Sequence, residues 1–310
     1  MRTAPRAHDL TCEAMSRQPV RSVLSIAGSD SGGGAGIQAD LKAFARSGVH
    51  GATAITALTA QNTTGVRAVH PVPNEFILEQ VRAVAEDIRI DAVKIGMLGT
   101  ADIVATVEEA LGLLPAGVPV VIDTVMVAES GAVLLDDGAR GALVRRLLPR
   151  AAVITPNLPE ARELARTAGL AFAGDGTGSA EEVERLARGL HGLGPAAVVI
   201  TGGHREDIVD VFFDGTTLER IPGERHADGA AHGSGCTHSS ALAAHLALGL
   251  EPLAAARRAK AIASEAVRNG LREVGRGAGP VDVFGIAGDA RDSETAAGAA
   301  ARMPVTPALT

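Results

Sequence analysis

Short apolar runs and amphipathic stretches alternate along most of this chain. Segments 21–27 (RSVLSIA), 92–98 (AVKIGML), 118–123 (VPVVID), 152–155 (AVIT) and 196–201 (AAVVIT) are too short for helices and rich in Val and Ile, which predicts strands. A further apolar run covers 51–59, and 64–69 predicts a short extra strand. Segments 207–213 and 216–221 predict a hairpin turning at Asp214-Gly215. Between these the spacing predicts helices over 37–47, 73–87, 101–114, 136–148, 158–168, 181–193, 236–249 and 252–269; in the first of them Ile37, Leu41 and Phe44 share one face. Such alternation specifies an α/β fold on a largely parallel sheet with helices on both faces. Segments 1–20 and 286–310 lack periodicity and predict disordered extensions flanking one domain, 21–285.

Composition narrows the picture by exclusion. The chain of 310 residues is 46% hydrophobic but 2% aromatic, with neither Trp nor Tyr, so Ala, Val, Leu and Ile build the core and an aromatic-lined site is excluded. A formal charge of -7 offers no basic field to nucleic acid or an anionic membrane. Three of the 29 basic residues are lysines (Lys42, Lys94, Lys260), which leaves few candidates for any lysine-dependent role. Two cysteines, Cys12 and Cys236, make neither a disulfide framework nor a four-cysteine zinc site. With no long apolar run and no leader pattern, the expected setting is the cytoplasm.

Four segments carry candidate chemistry. Loop 28–36 (GSDSGGGAG) joins a strand to a helix, where it reads equally as a tight turn or as a ligand loop. It is no P-loop, and a dinucleotide fold would want an acidic residue where Gln61 stands. In the second segment, 232–237 (HGSGCT), the amides of Gly233, Ser234, Gly235 and Cys236 at a helix start suit an anion hole for a phosphoryl group in transfer. A thiol at that helix start is expected to have a depressed pKa and to serve as base or nucleophile, the plain alternative being a buried cysteine capping a turn. The third segment, 155–160 (TPNLPE), places Asn157 and Glu160 on one helical face. They read either as a magnesium site completed by Asp123 or as a capping box. In the fourth, 59–63 (TAQNT), Gln61 offers a donor and an acceptor side by side, the complement of an aminopyrimidine edge, or is a solvated loop residue.

Together the motifs AGSDSGGGAGIQADLK (27–42), ITALTAQNT (55–63), KIGML (94–98), DTVMVAESG (123–131), TPNLPEA (155–161), GGH (202–204), HGSGCTHSSA (232–241) and VGRGAGPV (274–281) resemble the hydroxymethylpyrimidine and phosphomethylpyrimidine kinases, within the ribokinase-like superfamily. The resemblance covers nearly all of 22–284. It implies a three-layer α/β fold and ATP-dependent phosphorylation of 4-amino-5-hydroxymethyl-2-methylpyrimidine, first to the monophosphate and then to the diphosphate. It places Gly28, Asp40, Thr59, Gln61, Met97 and Val125 around the pyrimidine with Cys236, and Gly233 to Cys236 in the anion hole. Asn157, Thr201, Gly203 and Lys260 fall to the nucleotide, and Glu160 and Asp123 to Mg2+. A homodimer is implied as well.

The thiolate reading predicts that loss of Cys236 harms the first phosphorylation more than the second. Three features depart from the family pattern: Gly229-Ala230-Ala231-His232 before the anion hole, Thr201 where a lysine is common, and Ser31 in place of a proline. Two alternatives follow, a pyridoxal kinase of the same cysteine-containing branch and a pyrimidine sensor that has lost turnover.

Overall fold

The computed structural model describes residues 19–287, apart from 128–130, 132–133, 172–175, 204–207 and 228. All but four residues of the two expected extensions, part of the DTVMVAESG motif and His204 of GGH therefore lie outside the described residues.

Among the described residues, nine strands form one sheet in the order β3-β2-β1-β4-β5-β6-β7-β8-β9. They are β1 (Ser22–Ser29), β2 (His50–Asn62), β3 (Gly65–Pro71), β4 (Ala92–Ile95), β5 (Val120–Ile122), β6 (Val153–Ile154), β7 (Ala197–Ile200), β8 (Val209–Phe213) and β9 (Leu218–Pro222). Strands β2, β1, β4, β5, β6 and β7 run parallel, while β3, β8 and β9 join antiparallel at the edges. The β8–β9 turn is longer than the two residues expected. Phe213 pairs with Leu218, and Asp214 Oδ1 accepts from the amides of Thr216 and Thr217 to close a four-residue loop.

The helices are α1 (Gly36–Arg46), α2 (Asn74–Ala85), α3 (Ala101–Leu111), α4 (Asp137–Ala142), α5 (Leu158–Thr167), α6 (Ala180–His191), α7 (Ser234–Ala247) and α8 (Pro252–Arg268). Alternate strand residues supply two separate cores, as expected for a sheet covered on both faces. Leu24, Val93, Ile122, Ile154 and Val198 pack with apolar residues of α2 to α6, whereas Val23, Ala92, Val121, Val153 and Val199 pack with those of α1, α7 and α8. The helix expected over 136–148 is split. After α4 the chain widens into a π-turn over Leu143–Leu147 and tightens into a 3-10 turn at Leu148–Arg150, where Pro149 has no N–H to continue an α-helical ladder.

The order around β1 matters for function. The chain leaves β1 toward β2 on one side and returns to β4 on the other, so a crevice opens at the carboxyl ends of these strands.

Candidate active site

A cleft of about 690 Å3 occupies that crevice. Its walls come from the ends of β1 (Gly28, Ser29, Asp30), β2 (Thr59, Gln61), β4 (Met97), β5 (Asp123, Val125) and β6 (Thr155, Asn157), and from the start of α7. Of the sixteen residues expected in the site, fifteen line it: Gly28, Thr59, Gln61, Met97, Asp123, Val125, Asn157, Glu160, Thr201, Gly203, Gly233, Ser234, Gly235, Cys236 and Lys260.

Asp40 is the exception. It is fully buried beneath the cleft, where Oδ1 accepts from Lys94 Nζ at 2.8 Å and Ser240 Oγ at 2.7 Å, and Oδ2 from Ser25 Oγ at 2.6 Å. With both oxygens engaged by protein donors, it supports the floor and has no free edge for a substrate. Its partner Lys94 is equally buried and stands 3.7 Å from Asp123 Oδ2. Burial opposes the charge of Lys94, but Asp40 and Asp123 outweigh it and hold the ammonium above the ordinary lysine range. A lysine inside the apolar strand AVKI was the available signal for this pair, since a buried ammonium demands a carboxylate.

The first glycine loop satisfies itself. Asp30, 2% exposed, accepts from the amides of Gly32 (2.8 Å), Gly34 (3.0 Å) and Ala35 (2.8 Å), and its Oδ2 lies 3.2 Å from His232 Nε2. Burial alone would raise this carboxyl, yet His232 and the amides hold it below the usual range. These amides serve Asp30, so the loop is a structural turn whose Gly28 and Gly36 edge faces the cleft. A Cβ on Gly28 would meet Met97 Cε at 2.3 Å, so a side chain there would push the end of Met97 aside within the cleft.

Ser31 has a local task. Its hydroxyl donates to Gln61 O at 2.7 Å and accepts from Gln61 N at 2.8 Å, pinning the backbone of the residue expected to read the pyrimidine.

The second glycine loop becomes the first turn of α7, two residues earlier than predicted. Gly233 caps the helix at φ +84°, and a Cβ there would stand 1.8 Å from Gly34 O. Ser234 N–H donates to Ala231 O, and Thr237 N–H begins the helical ladder by donating to Gly233 O. The amides of Gly235 and Cys236 thus precede the ladder, and Ser234 contributes its place in the wall rather than a free N–H.

The expected thiolate is corrected by the surroundings of Cys236. Burial pushes its thiol up to about 12, and Asp123 and Asp40 add to that, against the opposing pull of Lys94 and a hydrogen bond from Gly36 N–H. Sequence showed the helix start but not the carboxylates beneath it. The shift runs opposite to the depressed pKa expected at a helix start, so it gives no support to the predicted division between the two phosphorylations.

Glu160 resolves the third motif in favour of capping without removing it from the cleft. Asn157 Oδ1 accepts from Glu160 N at 2.9 Å, and Glu160 Oε2 accepts from Asn157 N at 3.1 Å and from Thr124 Oγ1 at 3.1 Å. Burial and the nearby Asp123 push Glu160 up to about 8. Asp123, raised chiefly by burial, accepts from Ser239 Oγ at 3.0 Å. At the opposite wall Lys260 Nζ donates to Asp210 Oδ1 at 2.6 Å, and the same oxygen accepts from Gly202 N at 2.8 Å.

Residues 30–282 match the model of the family described as Phosphomethylpyrimidine kinase. The chain belongs to that family. The hydroxymethylpyrimidine/phosphomethylpyrimidine kinase of Rhizobium meliloti is 48% identical over 264 residues, covering 84% of this chain and 96% of its own. Among solved structures, the pyridoxal kinase of Staphylococcus aureus in complex with AMP-PCP and pyridoxal has a TM-score of 0.77 at 34% identity, covering 87% of this chain and 96% of that one. The phosphomethylpyrimidine kinase of Clostridium difficile 630 has a TM-score of 0.68 at 38% identity, covering 80% and 99%. The fold is therefore ribokinase-like and the family that of a phosphotransferase, and neither alternative, sensor or pyridoxal kinase, is better supported. No helix among the described residues is long and apolar enough to cross a membrane.

Proposed function

We propose that this chain transfers phosphoryl groups from ATP to 4-amino-5-hydroxymethyl-2-methylpyrimidine and then to its monophosphate, within the 21–285 domain. The observation that carries the reading is the convergence on one cleft of Gln61, Met97 and Val125 at one wall with the amides of Gly235 and Cys236 at the centre. The pyrimidine lies against Met97, Val125 and Cys236 with its amino edge on Gln61. The anion hole receives the phosphoryl group between acceptor and donor, stabilising the charge that develops on its oxygens. Proton loss from the hydroxymethyl oxygen comes late, after bonding to phosphorus has acidified it, and needs a weak acceptor rather than a thiolate. Sequence identity favours pyrimidine over pyridoxal, since the hydroxymethylpyrimidine kinase relative stands at 48% against 34% for the pyridoxal kinase.

The test is Gln61→Ala. It should raise the pyrimidine KM about tenfold or more, the loss of a paired donor and acceptor of about 1.5 kcal/mol or above, while the KM for ATP stays within twofold. An unchanged pyrimidine KM contradicts the edge-reading role.

The donor set also suits Mg2+, which takes one or two carboxylates and keeps water and phosphate as its other ligands. Burial and the nearby Asp123 raise the pKa of Glu160, and burial raises that of Asp123, a crowding of carboxyl groups that a divalent cation relieves, with Asn157 beside them. These residues would hold the ion, which when bound neutralises phosphate charge. Because Glu160 must lose its proton to ligate and does so near pH 8, Mg2+ should bind more tightly as pH rises from 6.5 to 8.5. Titration with Mg2+ at several pH values reads this directly, and Glu160→Gln should flatten the profile; a flat wild-type profile contradicts it. A homodimer belongs to the same reading.

A further inference from the structure

One polar cluster in the cleft is used by none of these roles. His238 lies on the second turn of α7, is 4% exposed and lines the cleft. Its Nε2 is 3.4 Å from Asp210 Oδ2, an ion-pair distance too long for a well-formed hydrogen bond. Among the described residues, neither ring nitrogen of His238 has a hydrogen-bond partner, and neither has Asp210 Oδ2. The rest of Asp210 is committed, because Oδ1 accepts from both Lys260 and Gly202.

A buried polar group without a partner is unfavourable, and such groups call for a specific explanation. Packing supplies none. The other buried positions of α7 include the polar Thr237, Ser239 and Ser240 and the apolar Ala241, Leu242, Ala243 and Ala244; Ser239 and Ser240 donate to Asp123 and Asp40, whereas the His238 ring finds no such partner. What distinguishes 238 from those positions is that its ring reaches the cleft.

We propose that His238 is a nucleotide-binding residue, giving a ring N–H to a phosphate oxygen of ATP while Asp210 orients the opposite edge of the ring. The inference rests on the kinase reading of the cleft. The charged groups around the ring are Asp210 from β8, Lys260 from α8 and Asp123 from the end of β5. The ring stands between the carboxylate of Asp210 and the open cleft, so one edge can face the carboxylate while the other meets a phosphate oxygen. The phosphate is assigned to the nucleotide because Asp210 and Lys260 are tied to Gly202 and stand at the wall formed by Thr201 and Gly203, away from Gln61 and Met97.

The test compares wild type with His238→Leu and His238→Asn, using Mg2+-AMP-PCP binding and steady-state kinetics with each acceptor. The leucine variant should bind AMP-PCP at least tenfold more weakly and show an equally raised KM for ATP. The KM for the hydroxymethylpyrimidine should not change, and Tm should not fall, since an unsatisfied polar group has been removed. Asparagine should restore part of the nucleotide affinity. Equal AMP-PCP binding by wild type and the leucine variant overturns the proposal and leaves the kinase reading intact. A rise confined to the KM of the pyrimidine monophosphate overturns it in favour of that substrate's phosphate. Failure of wild type itself to bind AMP-PCP overturns the kinase reading and this proposal with it.

Discussion

Lys94→Met should destabilise the protein by about 3–5 kcal/mol, the largest stability loss expected from any single substitution around the cleft. Lys94 and Asp40 are both fully buried at 2.8 Å, and Asp123 adds a second carboxylate at 3.7 Å. Removing the ammonium leaves two carboxyl groups facing one another in a medium that solvates them poorly. Asp40 keeps the hydroxyls of Ser25 and Ser240, which are not enough to replace a cation. Lys94→Met combined with Asp40→Asn should recover part of the loss, with a coupling energy of about 1–3 kcal/mol in a double-mutant cycle. Urea unfolding followed by far-UV circular dichroism is the suitable measurement, because the chain has no Trp or Tyr to report by fluorescence. A loss below about 1 kcal/mol for the single variant contradicts a coupled buried pair.

Gly233→Ala should lower kcat for both phosphorylations by about a hundredfold or more. The added Cβ would fall 1.8 Å from Gly34 O at a residue whose φ of +84° already disfavours any side chain. Backbone meets backbone here, so no side-chain rotation relieves the contact. The start of α7 must move away from the first glycine loop, carrying with it the amides of Gly235 and Cys236. A shift of about 1 Å in groups that stabilise a transferring phosphoryl is worth about a hundredfold in rate, whereas of the residues set against the pyrimidine only Cys236 moves with α7 and Gln61, Met97 and Val125 stay in place. Accordingly the pyrimidine KM should change little while kcat collapses. Near-normal kcat in a folded Gly233→Ala variant contradicts the placement of the anion hole.

Much of the architecture is legible in the chain because strands buried on both faces leave a simple trace: Val23 and Leu24, or Val153 and Ile154, point to opposite cores and read as unbroken apolar runs. The split after α4 was hidden, since Leu143, Val144, Leu147 and Leu148 keep helical spacing through the π-turn and only Pro149 hints at the change. In the site, many of the motif residues fall together because they follow strands at the same edge of the sheet, where the start of α7 meets them. What the chain did not disclose are interactions set by tertiary neighbours. Asp40 is four residues before Phe44 on the buried face of α1, which points it at Lys94 rather than at a substrate. Asp30 looks like part of a ligand loop, yet three of the loop's own amides claim it. The thiol of Cys236 has the helix start that lowers a pKa, but burial with Asp123 and Asp40 beneath it decides the sign. His238 passed as one more helix residue until its unpartnered ring was seen facing the cleft.

The most direct test of the account is product analysis with γ-labelled ATP, Mg2+ and the purified chain. 4-Amino-5-hydroxymethyl-2-methylpyrimidine, its monophosphate and pyridoxal are supplied in parallel. The account predicts labelled monophosphate appearing first and diphosphate after it, diphosphate alone from the monophosphate, and a kcat/KM for pyridoxal at least tenfold below that for the pyrimidine. Label transferred to pyridoxal in preference to the pyrimidine, or to neither, would contradict it.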